Sequence, residues 1–406
     1  MKMEYFLTGK HLSNIMTAKR TPSPLIPLLL ATVALIVNFW AWSLLGPLGS
    51  KIASELSLNP IKLSVMLAIP VLVGSLARIP FGTLTDRLGG RKVFSFVSFA
   101  STIPVVMLAF SNTYNDFLVA GTLLGITGAT FAIGIPYINS WSSPKNRGMM
   151  LGIYSMGNAG TAVSGFLTPF LANSLGRTNA YLIVAIFLCI TGILFAFFGK
   201  NSPSWKKTNI SLLKSLSGAI KEQITWDLSL LYFVSFGAFV AFGVYLPTLL
   251  KVSYGLSLTD AAARAAGFIL LATIARPIGG FLTDRLGGKI VIKSVFAATA
   301  VLSAFVAFQP TLAPSTTVAY LSLAFFLGIG NGAVFALVGK LTEANKVGSV
   351  TGVVGAIGGL GGFLPPLILG LTYQLTQSYT FALLGLSLSS SLVFFYINSR
   401  FKSLKI

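Results

Sequence analysis

Two arginines lie inside apolar segments of this chain, where a permanent positive charge is rare. Arg78 and Arg276 each stand eight residues before an aspartate, Asp86 and Asp284 respectively. If these segments are helices, each arginine lies about 12 Å along the helix axis from its aspartate. A guanidinium is costly to place in hydrocarbon, and its forked donors match small oxyanions. The pair therefore predicts an anion-binding site.

The composition indicates that these arginines belong to a membrane protein. Hydrophobic residues make up 54% of the 406 residues, charged residues only 9%, and the net charge is +20. Soluble domains carry about 25% charged residues, so a soluble nucleic-acid-binding protein is excluded. With Cys189 and His11 as the single cysteine and histidine, we expect no disulfide framework, no metal site and no cofactor. No catalytic constellation is recognisable, so an enzyme is not expected.

The alternative to an anion site is that both arginines are structural. In that case each would pair with a carboxylate or extend to the membrane surface. All nine acidic residues fall in tails, loops or helix ends, and a depth of about 12 Å exceeds the reach of the side chain. We expect the empty site to be destabilised by charge repulsion and relieved by an anion, which favours exchange over proton coupling.

Apolar runs predict twelve transmembrane helices in an all-α fold. A bilayer core needs about 20 apolar residues per helix, and the last two runs each fit two helices. The predicted order is a cytoplasmic tail (1–24), a six-helix bundle (25–199), a cytoplasmic linker (200–227), a second six-helix bundle (228–399) and a tail (400–406). The runs are Leu25–Gly49, Leu63–Leu84, Val93–Ser111, Phe117–Trp141, Gly148–Ala172, Asn179–Gly199, Leu228–Leu250, Ala265–Thr283, Ser294–Gly339 and Val347–Ser399.

Basic residues predict the sides of the membrane. With a cytoplasmic N-terminus, 22 of the 29 lysines and arginines fall on the cytoplasmic side and five on the other. This bias follows the positive-inside rule, so both termini are expected in the cytoplasm and the protein in the cytoplasmic membrane. The linker segment SLLKSLSGAIK (211–221) is amphipathic and predicts either a helix on the inner leaflet or a simple tether.

The chain contains an internal repeat. RIPFGTLTDRLGGRKV (78–93) and RPIGGFLTDRLGGKIV (276–291) share ten of sixteen residues, and GATFAI (128–133) matches GAVFAL (332–337). Repeats of equal topology, half a chain apart, predict two pseudo-symmetric bundles related by an axis along the membrane normal. The substrate pathway then lies between the bundles. This favours a transporter over a channel, a membrane sensor or an intramembrane enzyme.

The repeated segment GTLTDRLGGRK resembles the cytoplasmic loop motif of the major facilitator superfamily. Arg78, Arg276 and the segments GNAG (157–160), GIGNGAVF (328–335) and GAIGGLGGF (355–363) resemble its nitrate/nitrite porter family. The resemblance implies the major facilitator fold, a monomer among membrane lipids and a gate latch built from the loops. The implied latch residues are Gly82, Asp86, Arg87, Gly90, Arg91, Asp284 and Arg285.

The same resemblance implies nitrate/nitrite antiport by rocker-switch alternating access, with the anion held between the two arginines. Phe131 and Tyr232 occupy positions similar to those of the aromatic residues that sandwich the anion in that family. Asn158 and Gly157 are further candidates for substrate contact. Proton-coupled nitrate symport, or exchange of another small monovalent anion such as cyanate or formate, stays open as an alternative.

Two positions depart from the family pattern. Thr130 stands where many members have Asn, and Ala336 where many have Lys. Three residues of the first run, Asn38, Phe39 and Trp42, are candidates for lining the outer pathway. These five positions bear on anion selectivity and on the path to the site.

Overall fold

Helices account for almost all of the described chain, because hydrocarbon offers the main chain no other hydrogen-bond partners. The computed structural model describes residues 23–207 and 211–401. Within those ranges it contains α-helices and short 3-10 and π turns, without a β-strand, in agreement with the predicted all-α fold. The predicted tails fall largely outside the described residues.

Nine α-helices form the N-terminal half of the described chain. Some of them combine into one membrane crossing: 3-10 turns join α5 to α6 and α7 to α8. The helices are α1 (Leu25–Trp42), α2 (Leu45–Glu55), α3 (Pro60–Leu88), α4 (Gly90–Phe110), α5 (Tyr114–Leu124), α6 (Thr130–Trp141), α7 (Arg147–Ser155), α8 (Gly160–Leu175) and α9 (Arg177–Phe198).

The C-terminal half follows a short helix, α10, that lies inside the predicted linker. A π turn precedes α14, and the remaining connections among the described residues are short. The helices are α10 (Leu212–Lys221), α11 (Gln223–Tyr254), α12 (Leu258–Leu286), α13 (Gly288–Ala307), α14 (Thr317–Leu341), α15 (Val347–Thr376) and α16 (Thr380–Arg400).

Eleven helical stretches of the described chain are long and apolar enough to cross a membrane. The remaining predicted crossing, Gly148–Ala172, is split into α7 and α8 by the 3-10 turn Met156–Ala159. The turn lies directly against α1, since a Cβ on Gly157 would collide with Leu35. Taken together, α7 and α8 supply the crossing that the sequence predicts as one helix.

The beginning of α11 differs from the prediction. This helix begins at Gln223, five residues before the predicted start at Leu228. Near its start lies Asp227, whose buried carboxylate accepts hydrogen bonds from Tyr396 at 2.6 Å and Gln223 at 3.0 Å. Arg400 pairs with the same carboxylate at 3.2 Å. The sequence places Asp227 in the linker; partners on α16 allow it to be buried in a helix instead.

The two halves meet along helix pairs that the repeat relates. α3 packs against α15, and α7 packs against α12. At Gly82 of α3 a Cβ would collide with the carbonyl of Gly348, and at Gly280 of α12 with the carbonyl of Gly148. Glycine at these positions therefore allows main chains of the two halves to come into direct contact.

These contacts close one end of the molecule, the end that carries Asp86 and Asp284, which we term the motif face. Away from the motif face, a cavity of about 450 Å³ lies between the halves. Phe39 of α1 lines it on one side and Phe236 of α11 on the other. The arginines of α3 and α12 lie between the closed end and this cavity.

Candidate functional site

Arg78 on α3 and Arg276 on α12 are almost completely buried, each with 1% of its surface exposed. Among the residues that the structure describes, neither has a carboxylate partner. Their positive charges repel each other. Because buried charges without a counterion are costly, an anion that enters between them would be stabilised.

Each arginine reaches a main-chain carbonyl of the other half. Arg78 donates from Nη1 to the carbonyl of Gly355 at 2.7 Å, and from Nε to Gly128 of its own half at 3.2 Å. Arg276 donates from Nη1 to the carbonyl of Ser155 at 3.3 Å. The arginines thus link α3 to α15 and α12 to α7.

The two guanidinium groups differ in the donors they have available. Within the described chain, Nε and Nη2 of Arg276 are shielded from solvent and have no hydrogen-bond partner. Arg78 already uses Nε and Nη1. Buried donors without an acceptor are rare in proteins. The open edge of Arg276 is therefore the position where an acceptor from a ligand fits best.

Aromatic rings surround both guanidinium groups. Such rings attract the cations and exclude water from them. Around Cζ of Arg78 the ring centroids of Phe131, Trp42 and Phe236 lie at 5.5, 5.7 and 6.0 Å, and Phe239 lies 5.1 Å from Cζ of Arg276.

Phe131 and Tyr232, which the sequence analysis singles out, meet at the ring of Phe335. The Phe335 centroid lies 4.7 Å from each of them, in edge-on geometry. Phe335 is not among the site residues predicted from the sequence, although the repeat of GATFAI and GAVFAL aligns it with Phe131. Tyr232 also stacks on Phe236 at 4.8 Å and lies close enough to both arginines to interact with their charges.

A second short repeat carries further aromatic residues of the cavity. NFWAW in α1 matches SFGAF in α11, so that Phe39 and Trp42 correspond to Phe236 and Phe239. All four line the cavity. The expectation for Asn38 is wrong, because this residue is fully buried and its amide donates to α4, away from the cavity.

Asn158 and Gly157 lie at the 3-10 turn between α7 and α8. Asn158 lines the cavity, and its Nδ2 donates to the carbonyl of Ser155 at 2.8 Å, the same carbonyl that Arg276 reaches. Gly157 packs against Leu35 of α1. The structure therefore brings Asn158 to the arginine site and places Gly157 in a helix contact beside it.

The two departures from the family pattern are both buried. The Thr130 hydroxyl donates to the carbonyl of Thr127 at 2.6 Å, and the Thr130 carbonyl accepts from Tyr154 at 2.7 Å. Ala336 faces Gly148 of the other half. The Thr130 carbonyl thus holds the Tyr154 hydroxyl next to Phe131. The small Ala336 side chain permits close contact between the two halves.

The arrangement can hold a small anion. The polar groups around the arginines are amides, hydroxyls and carbonyls, and the cavity wall is otherwise apolar. Within residues 23–207 and 211–401, no group of three or more His, Cys, Asp or Glu side chains could hold a metal ion.

At the motif face, aspartates connect the halves through helix N-termini. The Asp86 carboxylate accepts from the N–H groups of Gly348 and Ser349 in the first turn of α15, both at 3.0 Å. Asp284 accepts from the N–H of Met149 in the first turn of α7 at 3.0 Å. A negative charge is stabilised at this end of a helix. The two contacts are equivalent in the repeat.

Further contacts strengthen the closed end. Asp284 also pairs with Lys340 at 3.2 Å, and Arg147 of α7 donates to the carbonyl of Gly339 at 2.7 Å.

The other loop residues named from the sequence contact their own half. Arg91 donates to Ala196 of α9, Gly90 packs on Tyr137 of α6, Arg285 lies over Phe281, and Arg87 is half-buried in the last turn of α3.

The chain matches known proteins in sequence and in structure. The family model of the Major Facilitator Superfamily matches residues 31–366. The chain is 42% identical over 361 residues to the probable nitrate/nitrite transporter NarK2 of Mycobacterium tuberculosis, covering 88% of this chain and 91% of the relative. It is 37% identical over 362 residues to the nitrite extrusion protein of Bacillus subtilis, covering 89% and 91%. The probable nitrate transporter NarT of Staphylococcus haemolyticus is 38% identical over 379 residues, covering 92% and 96%.

Solved structures of low sequence identity share the fold. The transporter FucP in the outward conformation matches with a TM-score of 0.75 at 16% identity, covering 92% of this chain and 98% of FucP. The human organic anion transporter MFSD10 matches with a TM-score of 0.75 at 16% identity, covering 93% and 100%. The predicted major facilitator fold is confirmed. Its two halves, loop motifs and relatives show that this multi-pass membrane protein belongs to the nitrate/nitrite porter family of the Major Facilitator Superfamily.

Proposed function

We propose that this protein exchanges nitrate for nitrite across the cytoplasmic membrane, as a monomer, by rocker-switch alternating access. The observation that carries the proposal is the pair of buried arginines, one from each half, without a carboxylate partner among the described residues. A small oxyanion would accept hydrogen bonds from both guanidinium groups and offset their charge. The names of the relatives, which include nitrate/nitrite transporter and nitrite extrusion protein, support this substrate class.

The aromatic residues favour a planar anion. Phe131, Tyr232 and Phe335 form a continuous set of rings next to the arginines. Nitrate and nitrite are flat and can lie against such faces, whereas tetrahedral sulfate or phosphate is thicker. Tyr232 also carries a hydroxyl that can donate to the anion.

We place the motif face in the cytoplasm, because the basic residues concentrate in the loops and linker on that side. The cavity then faces the outside, and the conformation is outward-facing. Opening toward the cytoplasm requires the contacts of Asp86 and Asp284 with the opposite half to separate. The site would be exposed to the two sides in turn.

The contacts of the arginines account for exchange. Arg78 and Arg276 donate to the carbonyls of Gly355 and Ser155, which holds the two halves together on the motif side. An anion that accepts from the open Nε and Nη2 of Arg276 would also draw Nη1 of Arg78 away from the carbonyl of Gly355 and so weaken these contacts. Reorientation would then be favoured when the site is loaded and disfavoured when it is empty.

Antiport is preferred over proton symport because of where the acidic residues lie. In the described helices, the aspartates lie within five residues of a helix end, as Asp86, Asp227 and Asp260 do. Proton coupling normally requires a titrating group on the pathway. The arginine pair itself supplies none at physiological pH.

The proposal is tested by nitrate binding to the purified protein, measured by calorimetry. We expect Arg78→Lys and Arg276→Lys each to weaken binding by at least about tenfold, because Lys cannot make forked hydrogen bonds. The larger loss is expected for Arg276, whose donors are open. Arg264→Lys is the matched control, since Arg264 is exposed and pairs with Asp260 at 3.0 Å.

Two outcomes would contradict the proposal. Nitrate affinity that is unchanged in both variants would remove the arginines from the site. Wild-type protein that binds cyanate or formate but neither nitrate nor nitrite would show that the anion is assigned wrongly, while the site stands.

A further inference from the structure

The helix α10 has an exposed apolar face next to the membrane. Leu213 is 81% exposed and Ile220 42% exposed, and because they are seven residues apart they lie on one side of the helix. Trp226, which is 48% exposed, donates from Nε1 to the carbonyl of Ile220 at 2.8 Å. These three side chains form one surface, which we call the linker apolar face.

The linker apolar face lies at the level where the membrane begins. The crossing helix α11 begins at Gln223, directly after α10. Trp side chains are enriched at membrane interfaces. We therefore expect Leu213, Ile220 and Trp226 at the boundary between headgroups and acyl chains.

Lysines flank this face. Lys214 and Lys221 are exposed and also seven residues apart, so they lie on one side of α10. Lys206 and Lys207 are exposed just before the helix. An apolar strip bordered by lysines is complementary to a membrane surface, where negatively charged headgroups cover apolar acyl chains.

The opposite side of α10 packs on the closed end of the transporter. Ser215 is buried and shares a hydrogen bond with Ser349 at 2.8 Å. The N–H and the hydroxyl of Ser349 both donate to the Asp86 carboxylate, at 3.0 and 3.3 Å. Movement of α10 is therefore transmitted to the contact that closes the motif face.

A second contact joins the end of the linker to the same helix. Lys346, directly before α15, donates to Glu222 at 2.6 Å. Glu222 and Glu343 raise the pKa of Lys346 through these hydrogen bonds, so the ammonium stays charged. The linker is thus attached to the first turn of α15 at two points.

We propose that α10 binds the anionic phospholipid headgroups of the cytoplasmic leaflet, with the linker apolar face in the acyl boundary, and that this binding stabilises the closed motif face. The lysines contact the phosphates, and Leu213, Ile220 and Trp226 occupy the apolar layer. Ser215 and Glu222 connect the bound helix to α15. The proposal rests on the cytoplasmic placement of the motif face and does not depend on which anion is carried.

The first test measures the position of α10 in the full-length protein. A Leu213→Cys variant in a Cys189→Ser background carries an environment-sensitive fluorophore, in phosphatidylcholine vesicles with or without phosphatidylglycerol. Brominated lipids in both vesicle types serve as the quencher. We expect several-fold stronger quenching with phosphatidylglycerol than without it. Each lysine near an anionic surface contributes roughly fivefold to binding. The double variant Lys214→Gln with Lys221→Gln should therefore remove most of this increase.

The control pair is Lys92→Gln with Lys145→Gln, two exposed lysines elsewhere on the motif face, the first in α4 and the second in the loop before α7. This pair makes the same change in charge and should leave quenching unchanged. A fluorophore that stays in water in both vesicle types would overturn the proposal. Quenching that is insensitive to the α10 lysines would overturn it as well.

The second test measures coupling to the closed end. Spin labels on Ser143→Cys and Ala344→Cys, exposed residues in equivalent loops of the two halves, report the distance across the motif face. We expect the short-distance population to increase several-fold with phosphatidylglycerol, and Ser215→Ala to reduce this response. A population that ignores phosphatidylglycerol would overturn the coupling. The measurement uses no nitrate, so its failure is distinct from failure of the exchange proposal.

Discussion

At the residue scale, two arginines that are equivalent in sequence differ in their surroundings. Arg78 is held by two carbonyls, whereas Arg276 keeps two buried donors without partners in the described chain. The repeat predicts both positions but not this difference, because the carbonyls belong to helices with unlike sequences around Ser155 and Gly355. The site is thus asymmetric, with the open donors on the C-terminal half.

Phe335 is predicted to contribute to anion binding as much as Phe131 does. Phe335→Ala removes the ring that contacts both Phe131 and Tyr232, so the ring set loses its order and water can enter. Loss of two aromatic contacts worth about 1 kcal/mol each predicts roughly a thirtyfold weaker affinity for nitrate. Calorimetric titration checks this.

The matched control is Phe395→Ala, a Phe that is 65% exposed on the outer surface of α16. It should leave nitrate affinity unchanged. Equal affinities for wild type and Phe335→Ala would contradict the aromatic account. Phe335 could not be identified from composition, since 32 phenylalanines are present and a Phe in an apolar helix is usually a packing residue.

At the element scale, the closed end depends on helix N-termini that receive carboxylates. Asp86→Asn removes the charge that α15 stabilises, while the shape of the side chain is kept. Charges in partly buried helix-terminal sites contribute up to about 2 kcal/mol, so we predict roughly a tenfold shift toward opening of the motif face. The distance between spin labels at positions 143 and 344 measures it.

Two further variants test this prediction, one as an equivalent change and one as a control. Asp284→Asn should shift the same distance in the same direction, because Asp284 makes the equivalent contact with α7. Asp116→Asn should have no effect, because Asp116 caps α5 at the opposite end of the molecule. An Asp86→Asn protein with the wild-type distance distribution would rule out the latch.

Close approach of α3 and α15 is the second element-scale prediction. Gly82→Ala places a Cβ against the carbonyl of Gly348, so the motif face cannot close fully and the long-distance population should dominate. Gly165→Ala is the control, since no atom lies within 4 Å of that added Cβ. Gly82→Ala protein that still closes would show that the motif face does not require the close approach of α3 and α15.

Element boundaries could be predicted only where hydropathy decides them. The ends of α4 and α9 follow apolar runs, but the early start of α11 depends on Asp227 finding Tyr396 and Arg400 on α16. The break between α7 and α8 depends on contact with Leu35. Such distant partners are not encoded in a local pattern.

At the scale of the whole molecule, hydropathy, the distribution of basic residues and the repeat predict a membrane protein of two related halves. They do not predict which end is closed, because that depends on glycine contacts between halves that are far apart in sequence. They also do not predict which part of the molecule α10 packs against. The amphipathic pattern predicts a helix at 211–221, whereas its packing on Ser349 is visible only in the structure.

Exchange coupled to the arginine pair is the central claim, and nitrate uptake into proteoliposomes tests it most directly. Vesicles are loaded with nitrite or left empty, with and without a pH gradient. We predict rapid uptake that requires internal nitrite and does not respond to the pH gradient. Proton-driven uptake into empty vesicles would contradict obligate exchange and favour nitrate symport.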